Sequence, residues 1–209
     1  KVFIFVFVWI LMEFNGKIIL IDKDLNELDR FVLKFVKLLE KYCSYVIVSG
    51  YVSIVLGRSR ASEDVDLLVT DIRKEKFERL FNDLSLNGFE CINTSNRLEA
   101  FEMFQEHAIR FSESGKAIPN IEFKKIKTEL DRYSYENKIS VIFGEEKVYI
   151  SQLELQIAYK LFLGRGGNEK DIEDAKHIYA LFKEKLNKEE LTSFVNKLKV
   201  KKSFDKYLK

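Results

Sequence analysis

Apolar residues recur along this chain in two periods, and the period switches several times. Lys17 to Ile21 is a short apolar run of strand length. Leu28, Phe31, Val32, Phe35, Val36 and Leu39 then repeat at helical spacing. That spacing predicts a helix with one buried face, opening near Leu25 behind Asp24 as its cap. Tyr45 to Val48 and Val65 to Val69 predict two strands around a short apolar helix that ends at Leu56. Phe77, Leu80, Phe81 and Leu84 predict a helix over Glu75 to Leu86, stopped by Asn87-Gly88. A strand over Phe89 to Ile92 and a helix over Leu98 to Arg110 follow, the helix with Leu98, Phe101, Phe104 and Ala108 inward. Ile118 to Phe123 and Ile139 to Phe143 predict strands, and a turn at Gly144 brings Val148 to Ile150 back as a hairpin. Beyond Ile150 only helical patterns remain, over Gln152 to Leu163, Lys170 to Leu186 and Glu189 to Leu198. The chain therefore reads as a mixed α/β (α+β) domain over residues 1–150 and a helical subdomain over 151–209.

The chemistry concentrates where one strand hands over to the next. The small-residue turn Ser49-Gly50 follows the first strand, and a basic loop with Arg58 and Arg60 leads into Asp64-Val65-Asp66. Two aspartates at i and i+2 on a strand share a face. Side-by-side carboxylates repel unless cations sit between them. A glycine turn lets backbone N–H groups approach a phosphate. Together these features suggest a site for a nucleoside triphosphate bound with metal. Gly50 fits a plain turn glycine equally well, and Arg58 and Arg60 fit loop cations that balance Glu63 and Asp64.

The same stretch resembles the nucleotidyltransferase superfamily, the DNA polymerase β-like fold. Its signature is a strand, a small-residue turn, a helix, then two alternating aspartates on a second strand. Arg60-Ala61-Ser62-Glu63-Asp64-Val65-Asp66 is most similar to the AbiEii-like branch, which ends this motif with Arg-x-Ser-x-Asp-x-Asp. Tyr51 departs from the pattern, since many members place a second Gly or a Ser after the turn glycine. A second stretch carries the same resemblance. Lys160, in a helix over Leu155 to Leu161, is followed by Lys170-Asp171-Ile172-Glu173-Asp174. The resemblance implies a catalytic sheet with a helical subdomain closing one side of a cleft. It implies Mg²⁺ or Mn²⁺ on Asp64 and Asp66, triphosphate contacts from Ser49, Gly50, Arg58, Arg60 and Lys160, and Asp171 facing the cleft. It also implies an RNA (a tRNA end in particular) or a protein hydroxyl as acceptor, and an antitoxin-like protein partner.

On side-chain chemistry alone, two of these positions stay open. Lys160 either runs its stem along apolar surface or aims at an anion. Asp171 sits near a helix start, where an acid is favourable in any case. Nucleotidyl transfer also calls for a third carboxylate on a neighbouring strand, as base or ligand. Glu122 is the candidate, because it interrupts the apolar run from Ile118 to Phe123; an outward-facing strand residue is the alternative. Glu129 and Asp131 fit a helix N-terminus instead, beginning near Thr128. His107 and His177 lack ligand spacing. Tyr133 and Tyr135 read as packing residues, and Gly164 to Gly167 as a helix-ending loop.

Composition narrows the rest. The chain has 209 residues, 46% apolar and 33% charged, with one Pro and nine Gly, which suits a folded protein without a long linker. A net charge of +2 does not by itself demand a nucleic-acid partner. Lys197 to Lys209 nevertheless holds six lysines and one aspartate, a solvated fraying end or an RNA-backbone contact. Cys43 and Cys91 form no CxxC pair and predict a reducing, cytoplasmic setting, with Cys43 late in a helix and Cys91 in a strand. Val2 to Met12 is apolar but too short for an ordinary membrane span. It reads as a buried or edge strand, a membrane-associating segment, or sequence upstream of a start at Met12; exposed, it would favour contacts in a homodimer.

Overall fold

The computed structural model describes residues 12–209. The readings made for residues 2–11 lie outside them. Among the described residues one mixed sheet runs in the order β1-β2-β8-β9-β3-β4-β7-β6-β5. Its strands are β1 (Met12–Phe14), β2 (Ile18–Ile21), β3 (Tyr45–Val48), β4 (Asp64–Val69), β5 (Phe89–Cys91), β6 (Ile109–Glu113), β7 (Asn120–Lys125), β8 (Ile139–Phe143) and β9 (Glu146–Ile150). The helices are α1 (Glu27–Leu39), α2 (Gly50–Val55), α3 (Lys74–Leu86), α4 (Arg97–Glu106), α5 (Glu129–Glu136), α6 (Leu153–Leu163), α7 (Glu169–Phe182), α8 (Lys188–Lys197) and α9 (Lys201–Tyr207). Among the described residues no helix is long and apolar enough to cross a membrane.

The centre of the sheet is set by alternation on β4 and β7. Val65, Leu67 and Val69 of β4, with Ile121 and Phe123 of β7, are all fully buried. They face an aromatic core: Phe123 meets Phe35 of α1 at 6.3 Å and Phe104 of α4 at 5.1 Å between ring centroids. Burying such side chains supplies the main driving force for this layer. The intervening positions must point the other way. On β4 and β7 these are Asp64, Asp66, Leu68, Asn120, Glu122 and Lys124.

Several elements differ from the sequence expectation. Helix α1 starts at Glu27, because Asn26 and Asp29 cap each other reciprocally, and Asp24 plays no part in that cap. Helix α1 ends at Leu39, so Cys43 lies beyond it rather than in the helix. The helix expected to reach Arg110 stops at Glu106, and Ile109–Glu113 forms β6, paired with both β5 and β7. The lysine-rich end forms α9, with Phe204 edge-on to Tyr179 of α7 at 5.9 Å.

Candidate active site

Strand register places the acidic residues. Asp66 pairs with Val48 of β3 on one side and with Glu122 of the parallel strand β7 on the other. Glu122 in turn pairs with Arg110 of β6. One row across the sheet therefore reads Val48, Asp66, Glu122, Arg110. Asp64 lies two residues earlier on the same face, opposite Asn120. Asp64 is exposed, whereas Asp66 and Glu122 are half-buried.

Lys124, two residues past Glu122 on the same face of β7, reaches back to this row. Its Nζ lies 2.6 Å from Asp66 Oδ1 and 3.0 Å from Glu122 Oε2. Arg110 Nη2 approaches the other Glu122 oxygen at 3.2 Å. Burial works against the Lys124 charge, but Asp66 and Glu122 outweigh it and hold its pKa above the ordinary lysine value. Among the described residues no three acidic, His or Cys side chains converge as a ready ligand set. The donors present are nonetheless carboxylate oxygens on one face, the chemistry that Mg²⁺ prefers.

The turn before α2 carries backbone strain. Ser49 has φ 62° and ψ −130°, a region that side-chain-bearing residues rarely occupy. Gln156 of α6 holds it in place. The Gln156 Nε2 donates to the Ser49 carbonyl at 2.6 Å, and the Ser49 N–H donates to Gln156 Oε1 at 3.2 Å. Gly50 has a different neighbour from the one expected. A Cβ at this position would overlap the Arg60 guanidinium, so the absent side chain makes room for Arg60. Tyr51 turns away into the core, where its hydroxyl donates to Asp29 Oδ1 at 2.8 Å.

Behind that turn lies a buried ionic cluster centred on Asp174 of α7, which is fully buried. Arg58 pairs with its Oδ1, Arg60 Nε approaches the same oxygen at 3.1 Å, and Lys160 Nζ reaches Oδ2 at 2.9 Å. Lys160 also donates to Asp171 Oδ1 at 2.6 Å. Three cations thus share two carboxylates. The structure brings Arg58, Arg60, Lys160 and Asp171 together as one unit, packed against Gly50 through Arg60. Lys160 is buried and aimed at acids of its own chain rather than running out to solvent.

A cavity of about 420 Å³ opens between the sheet and helices α5 and α6. Ser49, Asp66, Lys124, Gln156 and Tyr159 line it. Burial pushes the Tyr159 phenol up. Thr128 and Asp131 cap α5 reciprocally, in keeping with the helix start expected there. Tyr133 packs edge-on to Phe194 of α8 at 4.9 Å. His177 is held by burial below the usual histidine pKa and meets the Leu56 carbonyl at 3.0 Å.

Solved structures share this architecture. An antigenic nucleotidyltransferase-like protein from Paracoccidioides brasiliensis has a TM-score of 0.53 and 18% identity, over 85% of this chain and 90% of that one. The chain has a nucleotidyltransferase fold. The antibiotic-resistance factor ANT(2'')-Ia in solution gives a TM-score of 0.54 at 13% identity, covering 85% of this chain and 94% of that one. Its complex with adenylyl-2''-tobramycin gives 0.52 at 13% identity, covering 81% and 95%. No family model and no curated protein matches the sequence.

Within this nucleotidyltransferase fold, three participants had no place in the sequence reading. Gln156 stands four residues before Lys160, a polar pair on one stripe of a mostly apolar helix. Lys124 stands two residues past Glu122, hence on its face. Arg110 becomes visible only once Ile109–Glu113 is seen to be a strand.

Proposed function

We propose that this chain is a Mg²⁺- or Mn²⁺-dependent nucleotidyltransferase that moves an NMP group from an NTP to a hydroxyl. The observation that carries this reading is the register pair Asp66–Glu122, with Asp64 on the same face and Asp66 on the wall of a nucleotide-sized cavity. Asp64 and Asp66 would hold the cation, which would supply charge neutralisation at the phosphates. Glu122, beside Asp66 in the sheet register, would accept the proton of the incoming hydroxyl. The hydroxyl oxygen then bonds to the α-phosphorus as the bond to the pyrophosphate oxygen breaks. Ser49, on its strained turn, presents its hydroxyl to the phosphates, its own N–H and carbonyl being held by Gln156. Arg58, Arg60, Lys160 and Asp171 set the charge and shape behind that turn. Their surplus positive charge favours an anionic ligand beside it.

The sequence motifs favour the AbiEii-like branch, with RNA or a protein hydroxyl as acceptor and residues 151–209 as a helical subdomain beside a catalytic domain. An antitoxin-like protein and a second copy of the chain are the partners that reading brings. One observation favours a second reading, nucleotide binding without turnover: Lys124 and Arg110 already neutralise both central carboxylates.

Incubation with labelled NTPs and Mg²⁺ tests the proposal, with RNA, protein and aminoglycoside acceptors in separate arms. Label should pass to one acceptor, and Asp66→Asn should cut the rate by about 100-fold or more, about 3 kcal/mol of barrier. Bound nucleotide without transfer would support the second reading. Transfer that survives the paired change Asp64→Ala and Asp66→Ala would exclude the mechanism.

A further inference from the structure

We infer that Lys124 is a displaceable counter-ion of the acidic pair, which couples entry of a divalent cation to binding of the nucleotide phosphates. The inference rests on the function proposed above and assigns one residue within it. Its ground is geometric. The Lys124 ammonium lies between two carboxylates on adjacent strands, 2.6 Å from Asp66 and 3.0 Å from Glu122. It thus stands among the oxygens that a divalent cation would seek.

Two positive charges cannot share those oxygens without strong repulsion. A cation arriving at Asp66 therefore has to break the Lys124 contacts. The displaced side chain has somewhere to go, because Lys124 also lines the cavity, on a flexible four-carbon stem. In that cavity a nucleotide would bring phosphate oxygens, new partners for the ammonium. Without nucleotide the displaced lysine gains nothing, so metal binds weakly. With nucleotide it is paired again, so metal binds more tightly. The coupling is reciprocal by linkage: metal should strengthen nucleotide binding by the same factor. Arg110 does not substitute for Lys124, because it reaches only the far oxygen of Glu122.

The test uses Mn²⁺ as probe, with free ion followed by electron paramagnetic resonance and corrected for the Mn²⁺ that the analogue binds in protein-free titrations. The full chain is titrated with and without a non-hydrolysable ATP analogue, and the series is repeated for Lys124→Met and Lys124→Gln. Wild type should bind Mn²⁺ more tightly by about 5-fold or more when the analogue is present. Both variants should bind Mn²⁺ more tightly than wild type in its absence, by a similar factor, and lose most of the gain from the analogue. Two substitutions of different polarity guard against one that fails to fold, with circular dichroism as the check. If folded variants bind Mn²⁺ as weakly as wild type, or keep the full coupling, the inference fails while the metal-dependent reading stands. If wild type binds no Mn²⁺ even with the analogue, the parent reading fails and takes this inference with it.

Discussion

Ser49 occupies a backbone conformation that most sequences would give to glycine, and it does so where β3 turns into α2. Gln156 pins both its N–H and its carbonyl, so the surrounding structure imposes the conformation. Strain of this kind costs about 1–3 kcal/mol. Ser49→Gly should therefore raise the melting temperature, by about 2–4 °C for each kcal/mol in a domain of this size. Ser49→Ala, which keeps a Cβ, should give no such gain. Equal melting temperatures for the two variants would show that the turn is unstrained. If the serine is kept for its hydroxyl, the glycine variant will be more stable and less active.

Between elements, a buried ionic cluster joins the loop after α2 to helices α6 and α7. Arg58 and Arg60 come from the loop, Lys160 from α6, and Asp171 and Asp174 from α7. Removing one partner of a buried ion pair leaves uncompensated charge and costs about 3–5 kcal/mol. Asp174→Asn should lose about that much in urea denaturation. Lys201→Ala, which breaks an exposed pair with Asp205 on α9, should lose about 1 kcal/mol or less. A small loss at Asp174 would mean that the cluster does not hold the loop.

The same elements mark how far sequence reasoning reached. The helical periods of α1, α3 and α6 and the hairpin β8–β9 were legible, because each buries a continuous apolar face. The place of Glu122 on the strand face opposite Ile121 and Phe123 was legible, because a carboxylate interrupts an apolar strand. Strand β6 was not: Ile109–Glu113 directly follows a helix, and its character comes from pairing with β5 and β7 on both sides. Helix α9 was hidden by its lysines, although Phe204 and Leu208 pack against the core. The partners of Arg58, Arg60 and Lys160 were illegible for a different reason. Sequence shows cations and acids separately, whereas only folding brings Asp174 within reach of Arg58 and Arg60, far earlier in the chain.

At the scale of the molecule, β4 is the pivot. It lies inside the sheet between β3 and β7, so one of its faces is committed to the aromatic core. Its other face carries Asp64 and Asp66 toward the side where α5 and α6 leave a cavity. The function proposed for this chain requires that acidic face to recruit a divalent cation, and with it a nucleotide. Titration calorimetry of NTP into the chain, with Mg²⁺ and then with EDTA, tests that requirement most directly. NTP binding should depend on Mg²⁺ and be lost in a folded Asp64→Asn, Asp66→Asn double variant. Binding unchanged by EDTA and by that double variant would contradict it.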